Sequence, residues 1–363
     1  MRLIHLYRSK RESSKPKKWD IHATPDVRVS KLGFPSHGFF WLWQQLLAEG
    51  IVDDVAILYN TAKECSSGTV RYADNLRLHV IPYIGDLEQF YRPGDVVLAR
   101  GWGEQWIVHL VPIMKDKPLY WYSAGAPPKK NSIMRTWCDV LDGVLVDCPR
   151  AIRSAHFDDL PHIEFLKPIN PDYFTMVDVA KKYDICIGAS QLVKKKGQLG
   201  GVEAVVAYKK LYGKKLRCIV PGKYWDDGVK RSISRHTKDQ DLPIEIPGDI
   251  PSGNMNMVYN ASKMFLYLGD SGCNDRSVLE AMACGCPVMM RKESAAKHAS
   301  FVAARESGTF LTENAQDAEA LARDIHALLE QCEEVKRKRL SDYFWAINNR
   351  GAVLEPWRNF IAN

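Results

Sequence analysis

Two groups of residues in the second half of the chain have the types and spacing to do chemistry. The first is the run Lys194, Lys195 and Lys196, followed by Gly197 and a helix-like stretch. Ammonium groups at a helix start face the positive end of its dipole, so they are disfavoured there unless an anion binds beside them. The second is "GDSGCNDRSVLEAMACGCPVMM" at 269–290, which reads as a strand end, a polar loop, a short helix, a glycine stop and a new buried strand. Inside that helix Glu280 stands alone among Leu279, Ala281 and Met282. Burying a lone carboxylate is costly unless strong donors meet it, so Glu280 is a candidate acceptor for a ligand.

These residues need a scaffold, and the spacing of apolar residues supplies one. Compact β-rich runs at 2–7, 54–60, 76–84, 95–102, 118–125 and 142–148 predict buried strands of a parallel sheet. Between the first two, Phe39, Leu42, Trp43, Leu46 and Leu47 form a helical stripe stopped by Gly50. A second series has strands at 183–189, 216–222, 242–248 and 264–270, with helices at 200–213 and 254–262 and one long amphipathic helix at 315–339. The expected architecture is α/β: two Rossmann-like doubly wound domains facing across a cleft. The first spans 1–170, a linker spans 171–182, and the second spans 183–340. Ligands of such sheets lie beyond the carboxyl ends of the strands, which directs attention to the loops after them.

Composition narrows the functional classes. The 363 residues are 46% hydrophobic, enough for two cores. Nine cysteines include no Cys-x-x-Cys pair, and several fall in apolar strands, so a reducing, cytoplasmic setting is expected. Met1 runs directly into strand-like "RLIHLY", and no apolar run is long enough to span a bilayer, so a soluble or at most surface-attached protein is expected. The net charge of +7 is modest, but a basic loop at 8–18 directly follows the first strand and "KRKR" stands at 336–339. There is no His-x-x-x-His and no strand-end Asp-x-Asp, so no metal is expected; Gly-x-Ser-x-Gly and Gly-Lys-Ser/Thr motifs are also missing.

Three segments of the second half, "IGASQLVKKKGQ", "PIEIPGDIPSGNMNMVYNASKMFLYLGDS" and "CNDRSVLEAMACGCPVMM", resemble in the same order the retaining nucleotide-sugar-dependent glycosyltransferases of GT-B fold, the group of glycogen synthase and sucrose synthase. The resemblance covers 183–330 well and 1–166 only in general layout. It implies that Lys196 is the cation beside the donor diphosphate, stabilising charge that grows as the glycosidic bond breaks. It also implies that Glu280 accepts both ribose hydroxyls of the nucleotide. The family's arginine five residues before the lysine is here Gln191, so neutralisation leans on Lys196 with Lys194, Lys195 or Arg276. The family's first glutamate, eight residues before Glu280, is here Gly272, leaving Asp270, Asn274, Asp275 or the backbone of 272–276 to hold the sugar. Donor contacts are thus expected from Gly38, Ser190, Gln191, Lys196, Asp270, Gly272, Cys273, Asn274, Asp275, Arg276, Ser277 and Glu280. The resemblance places His37, Arg100, Trp102, Glu104, Ser123, Lys129 and Lys130 on the acceptor side, and has 341–363 return as helices that brace the first domain.

The expected reaction is transfer of a hexose from a nucleoside diphosphate sugar, UDP-glucose-like, to an acceptor hydroxyl with retention of configuration and without a cofactor. The acceptor stays open between glycan, lipid, small molecule and DNA, the last as in phage-type DNA base glycosylation. An anionic surface, lipid or nucleic acid, suits the basic segments. From a different class, Gln191 and Gly272 suit a degenerate nucleotide- or glycan-binding module. A sugar-nucleotide epimerase would need paired acid and base groups that the sequence does not offer.

Overall fold

The computed structural model describes residues 1–8, 37–60, 68–81, 87–100, 110, 112–123, 138–147, 160–188, 191–192, 194–224, 226–270, 275–296, 298, 300–331 and 334–362. They form two units, Met1–Pro168 with Arg350–Asn363, and Ile169–Asn349.

The first unit is built on eight strands: β1 (Arg2–Arg8), β2 (Asp54–Asn60), β3 (Gly68–Ala73), β4 (Leu76–Ile81), β5 (Val96–Arg100), β6 (Leu119–Ser123), β7 (Gly143–Val146) and β8 (His162–Glu164), in the order β3-β4-β2-β1-β5-β6-β7-β8. Every pair is parallel except β3 with β4. The sequence reading does not contain β3, and the sheet is therefore mixed rather than wholly parallel. At the edge only one face of β3 is covered: Val70 is buried between exposed Thr69 and Arg71, which leaves no continuous apolar run. The central strands are buried on both faces. Leu3, Val55, Ile57 and Leu98 share one cluster with Phe39, Leu42, Trp43 and Leu46 of helix α1 (Gly38–Ala48). Ile4, Leu6, Ala56 and Val97 point into the opposite one, together with Leu87 of the short helix α2 (Leu87–Phe90).

The second unit carries six parallel strands, β9 (Tyr183–Ile187), β11 (Cys218–Pro221), β13 (Ile244–Gly248), β14 (Ser262–Tyr267), β15 (Val288–Arg291) and β16 (Thr309–Thr312), in the order β13-β11-β9-β14-β15-β16. Beside it β10 (Gln191–Leu192) pairs with β12 (Lys223–Tyr224). Helices α3 (Gln198–Tyr212), α4 (Asp227–Asp239), α5 (Met255–Asn260), α6 (Arg276–Ala283) and α7 (Lys292–Ala295) follow their strands. Ile185, Ile187, Val202, Val205, Met264 and Leu266 share the core, with Leu321 and Ile325.

The helix expected over 315–339 is two, α8 (Ala318–Glu330) and α9 (Glu334–Ile347). The halves have different partners. Leu321, Ile325 and Leu328 of α8 bury into the core over α3, whereas α9 packs against α6. Arg337 of the "KRKR" run is 2% exposed and donates to the carbonyls of Asn260, Ser262 and Cys284 at 3.4, 3.0 and 3.3 Å. One of the four basic residues is thus an internal brace, while exposed Lys338 pairs with Asp342. Tyr343, Phe344 and Trp345 lie on α9 and belong to the second unit. The last helix, α10 (Arg350–Ala362), belongs to the first, where Trp357 packs edge-on against Phe39 and Phe165.

Candidate functional site

In a doubly wound sheet the connections diverge where the strand order reverses, leaving a crevice at the carboxyl ends of the two central strands. In the second unit the reversal lies between β9 and β14, and in the first between β1 and β5. The candidate residues gather at these two places.

After β9 and β10, Lys194–Lys196 form a 3-10 turn rather than the first turn of α3, which begins at Gln198. Gly197 makes the junction, with φ +75°; a Cβ there would lie 2.6 Å from Leu268 Cβ and 2.7 Å from its carbonyl oxygen. The lysine turn is therefore pressed onto the segment that leaves β14. The Asp270 amide seals the approach by donating to the Lys195 carbonyl at 3.0 Å. Lys196, mostly buried, forms an ion pair with Asp275, the N-cap residue of α6. Its Nζ sits 5.6 Å from the Tyr267 ring centre. Asp275 also accepts from the Tyr267 hydroxyl at 2.7 Å and from the Ser277 hydroxyl at 3.0 Å.

Glu280 is 5% exposed, as expected for a carboxylate within an apolar helix. It is already provided with donors: Arg276 Nε lies 3.2 Å from Oε1, and the Tyr259 hydroxyl donates to Oε2 at 3.4 Å. Burial first, and then the Glu280 charge, pushes the Tyr259 phenol well up, so it stays a neutral donor. Arg276 thus serves Glu280, which limits its freedom to meet a phosphate. The arrangement places a carboxylate acceptor on α6 and an ammonium donor on the turn before α3, joined through Asp275 and Arg276.

In the first unit, His37 caps α1: its Nδ1 accepts from the Phe39 amide at 3.1 Å, and Gly38 opens the helix, buried. With Nδ1 accepting, a neutral ring carries its proton on Nε2. Arg100, the last residue of β5, brings Nη1 to 3.3 Å from that nitrogen and stacks over Phe39 at 4.9 Å and Tyr122 at 5.2 Å. Ser123 ends the adjacent strand β6. Next to it, Asp147, at the end of β7, accepts from Tyr122 at 2.5 Å and pairs with Lys167 at 2.8 Å.

Residues 173–343 match the family described as glycosyl transferases group 1. That match spans nearly all of the second unit, which is thus similar to a group 1 glycosyl transferase domain. Over the whole chain the fold is that of the GT-B glycosyltransferases. Sucrose-phosphate synthase from Thermosynechococcus elongatus superposes with a TM-score of 0.66 at 16% identity, covering 100% of both chains. Anabaena HepE in complex with UDP and glucose gives 0.65 at 13% identity, covering 100% of this chain and 98% of its own. A glycosyltransferase from Rickettsia africae gives 0.64 at 15% identity, covering 99% and 96%. No curated protein is a significant match by sequence.

Among the site residues expected from the sequence, Lys196, Asp270, Asp275, Arg276, Ser277 and Glu280 come together at the second reversal point, and His37, Gly38 and Arg100 at the first. Ser190, Gly272, Cys273, Asn274, Trp102, Glu104, Lys129 and Lys130 lie outside the described residues, as do the side chains of Gln191 and Ser123 and the basic loop at 9–18. The structure adds Tyr259, Tyr267 and His298 to one group and Tyr122, Asp147 and Lys167 to the other. Asp147 had a legible signal, a charge directly after the buried run "GVLV", and Tyr122 and Tyr267 lie on the strands that lead to Ser123 and Asp270; Tyr259, Lys167 and His298 come from more distant sequence and had none. Among the described residues no cluster could hold a metal ion, and no helix is long and apolar enough to cross a membrane.

Proposed function

We propose that the protein transfers a hexose from a nucleoside diphosphate sugar, UDP-glucose in type, to an acceptor hydroxyl with retention of configuration. The observation that carries this reading is the stitching of the lysine turn to the start of α6 at the second reversal point, where Lys196 and Glu280 are held through Asp275 and Arg276. The UDP and glucose bound by Anabaena HepE support the choice of donor. In this reading Glu280 accepts from the ribose hydroxyls, and Lys196 neutralises the diphosphate as the anomeric C–O bond breaks. The acceptor oxygen bonds to the anomeric carbon on the face the diphosphate leaves, and its proton passes to the departing phosphate oxygen. No protein nucleophile and no metal is needed; positioning and fixed charge lower the barrier. Cys186, Cys218 and Cys284 are buried and unbridged, which supports a reducing, cytoplasmic setting.

The test is thermal shift with nucleoside diphosphates and their sugars, followed by transfer assays on Lys196→Ala and Glu280→Ala. A ligand that binds only the native state raises its midpoint. The reading requires stabilisation by one nucleoside diphosphate and a loss of transfer of about a hundredfold in each variant; undiminished transfer in both ends it. Steep loss of turnover with salt is the result for a phosphate-rich acceptor such as DNA or a lipid head group.

The internal pairing of both ligand groups favours one second reading, a nucleotide-binding module without turnover. Tight nucleoside diphosphate binding together with the absence of transfer or donor hydrolysis would establish it.

A further inference from the structure

We propose that His298 and Asp275 are positioning residues for the Lys196 ammonium, with His298 fixing Asp275 and Asp275 aiming the lysine. This rests on the reading of Lys196 as the cation beside the donor diphosphate.

His298 is 3% exposed and joins two backbone groups. Its Nδ1 lies 2.9 Å from the Ser294 carbonyl, and its Nε2 lies 3.1 Å from the Asp275 amide nitrogen. A carbonyl can only accept and an amide N–H can only donate. The ring is therefore the neutral tautomer with the proton on Nδ1, and Nε2 accepts from Asp275. Ser294 is anchored in turn, its hydroxyl donating to the Gly269 carbonyl at 2.7 Å. The chain of contacts thus begins beside the end of β14 and returns to the start of α6.

Asp275 is the second observation. An aspartate at a helix N-cap ordinarily accepts from the amides of the first turn. Here it makes no such bond. Its carboxylate is turned to Ser277, Tyr267 and Lys196 instead. The cap interaction is given up and the carboxylate becomes a fixed counter-charge for the ammonium, with the amide of the same residue supported by His298. An ammonium has three N–H donors and Asp275 takes one, so the direction of that bond sets where the others point. A cation that must meet charge developing on a phosphate gains from being oriented beforehand.

Two substitutions at His298 separate this role from plain packing. In His298→Gln the side-chain carbonyl reaches the former Nε2 position and still accepts from Asp275, while the Ser294 bond is lost. In His298→Asn the shorter amide keeps the donor to Ser294 and loses the acceptor for Asp275. The proposal expects turnover of the Gln variant within about threefold of the parent, and a kcat loss of about tenfold or more in the Asn variant at comparable thermal stability. In a double-mutant cycle, Asp275→Ala adds little to Lys196→Ala. Any result in which the Gln variant is no better than the Asn variant overturns the proposal. Side-chain 15N NMR decides the link without activity: an unprotonated Nε2 in His298, and a Lys196 ammonium signal held in the Gln variant and broadened in the Asn variant. A protonated Nε2, or a Lys196 signal indifferent to both variants, overturns it even in a protein that proves to transfer no sugar.

Discussion

Arg276 Nε lies 3.2 Å from Oε1 of Glu280, one turn further along α6, so the buried carboxylate proposed to bind the ribose already has a cation at its side. Removing one partner of a buried pair leaves an uncompensated charge. The Arg276 side chain is 34% exposed, so the loss is discounted for solvent. Arg276→Ala is expected to lower stability by about 2 kcal/mol in urea denaturation, and adding Glu280→Gln to restore most of it. Losses that simply sum would show that the two side chains are not coupled.

Gly197 and Gly213 offer a matched comparison, with φ of +75° and +66°. A Cβ at Gly213 meets nothing within 4 Å, whereas at Gly197 it meets the Leu268 backbone. Gly213→Ala is expected to cost about 1 kcal/mol, the left-handed backbone penalty alone, with transfer unchanged. Gly197→Ala is expected to cost about 2–4 kcal/mol and to weaken nucleotide binding by calorimetry, because the lysine turn must lift from the β14 loop. Equal effects at the two sites would remove the contact argument.

Trp357 of α10 is 1% exposed and packs against Phe39, Phe165 and Phe360. Trp357→Ala is expected to destabilise the first unit by about 3–5 kcal/mol. Hydrogen exchange should show the loss on β1 and α1 and leave β9 and β14 protected; uniform loss over both units would contradict it.

Burial, reinforced by the Arg100 charge, lowers the His5 imidazole well below its usual value, and burial followed by Arg77 and Arg2 lowers His79. Below about pH 6.5 the unfolded chain then binds protons that the folded chain refuses. Stability is present in full above that pH and falls on acidification, with a limiting slope of about 1.4 kcal/mol per pH unit for the fully buried His5. His5→Phe should flatten the slope between about pH 6.5 and 5 in urea titrations. An unchanged slope would mean that His5 takes up no proton on unfolding.

The sequence by itself determined the doubly wound character of both halves, because strands buried on two faces leave apolar runs and amphipathic helices leave 3.6-residue stripes. It also marked Lys196 and Glu280, since a cation run before a helix and an acid inside an apolar one each conflict with their local surroundings. It did not reveal β3, whose edge position covers one face only, nor the break between α8 and α9, where a single amphipathic pattern serves two packing partners. Only the tertiary structure decided that Arg337 is interior, that Asp275 forgoes its cap for Lys196, and that His298 stands behind it. These pairings join residues 23 to 79 positions apart, and nothing in local pattern encodes which distant loops a parallel sheet brings side by side. The strand order does, by setting β14 next to β9.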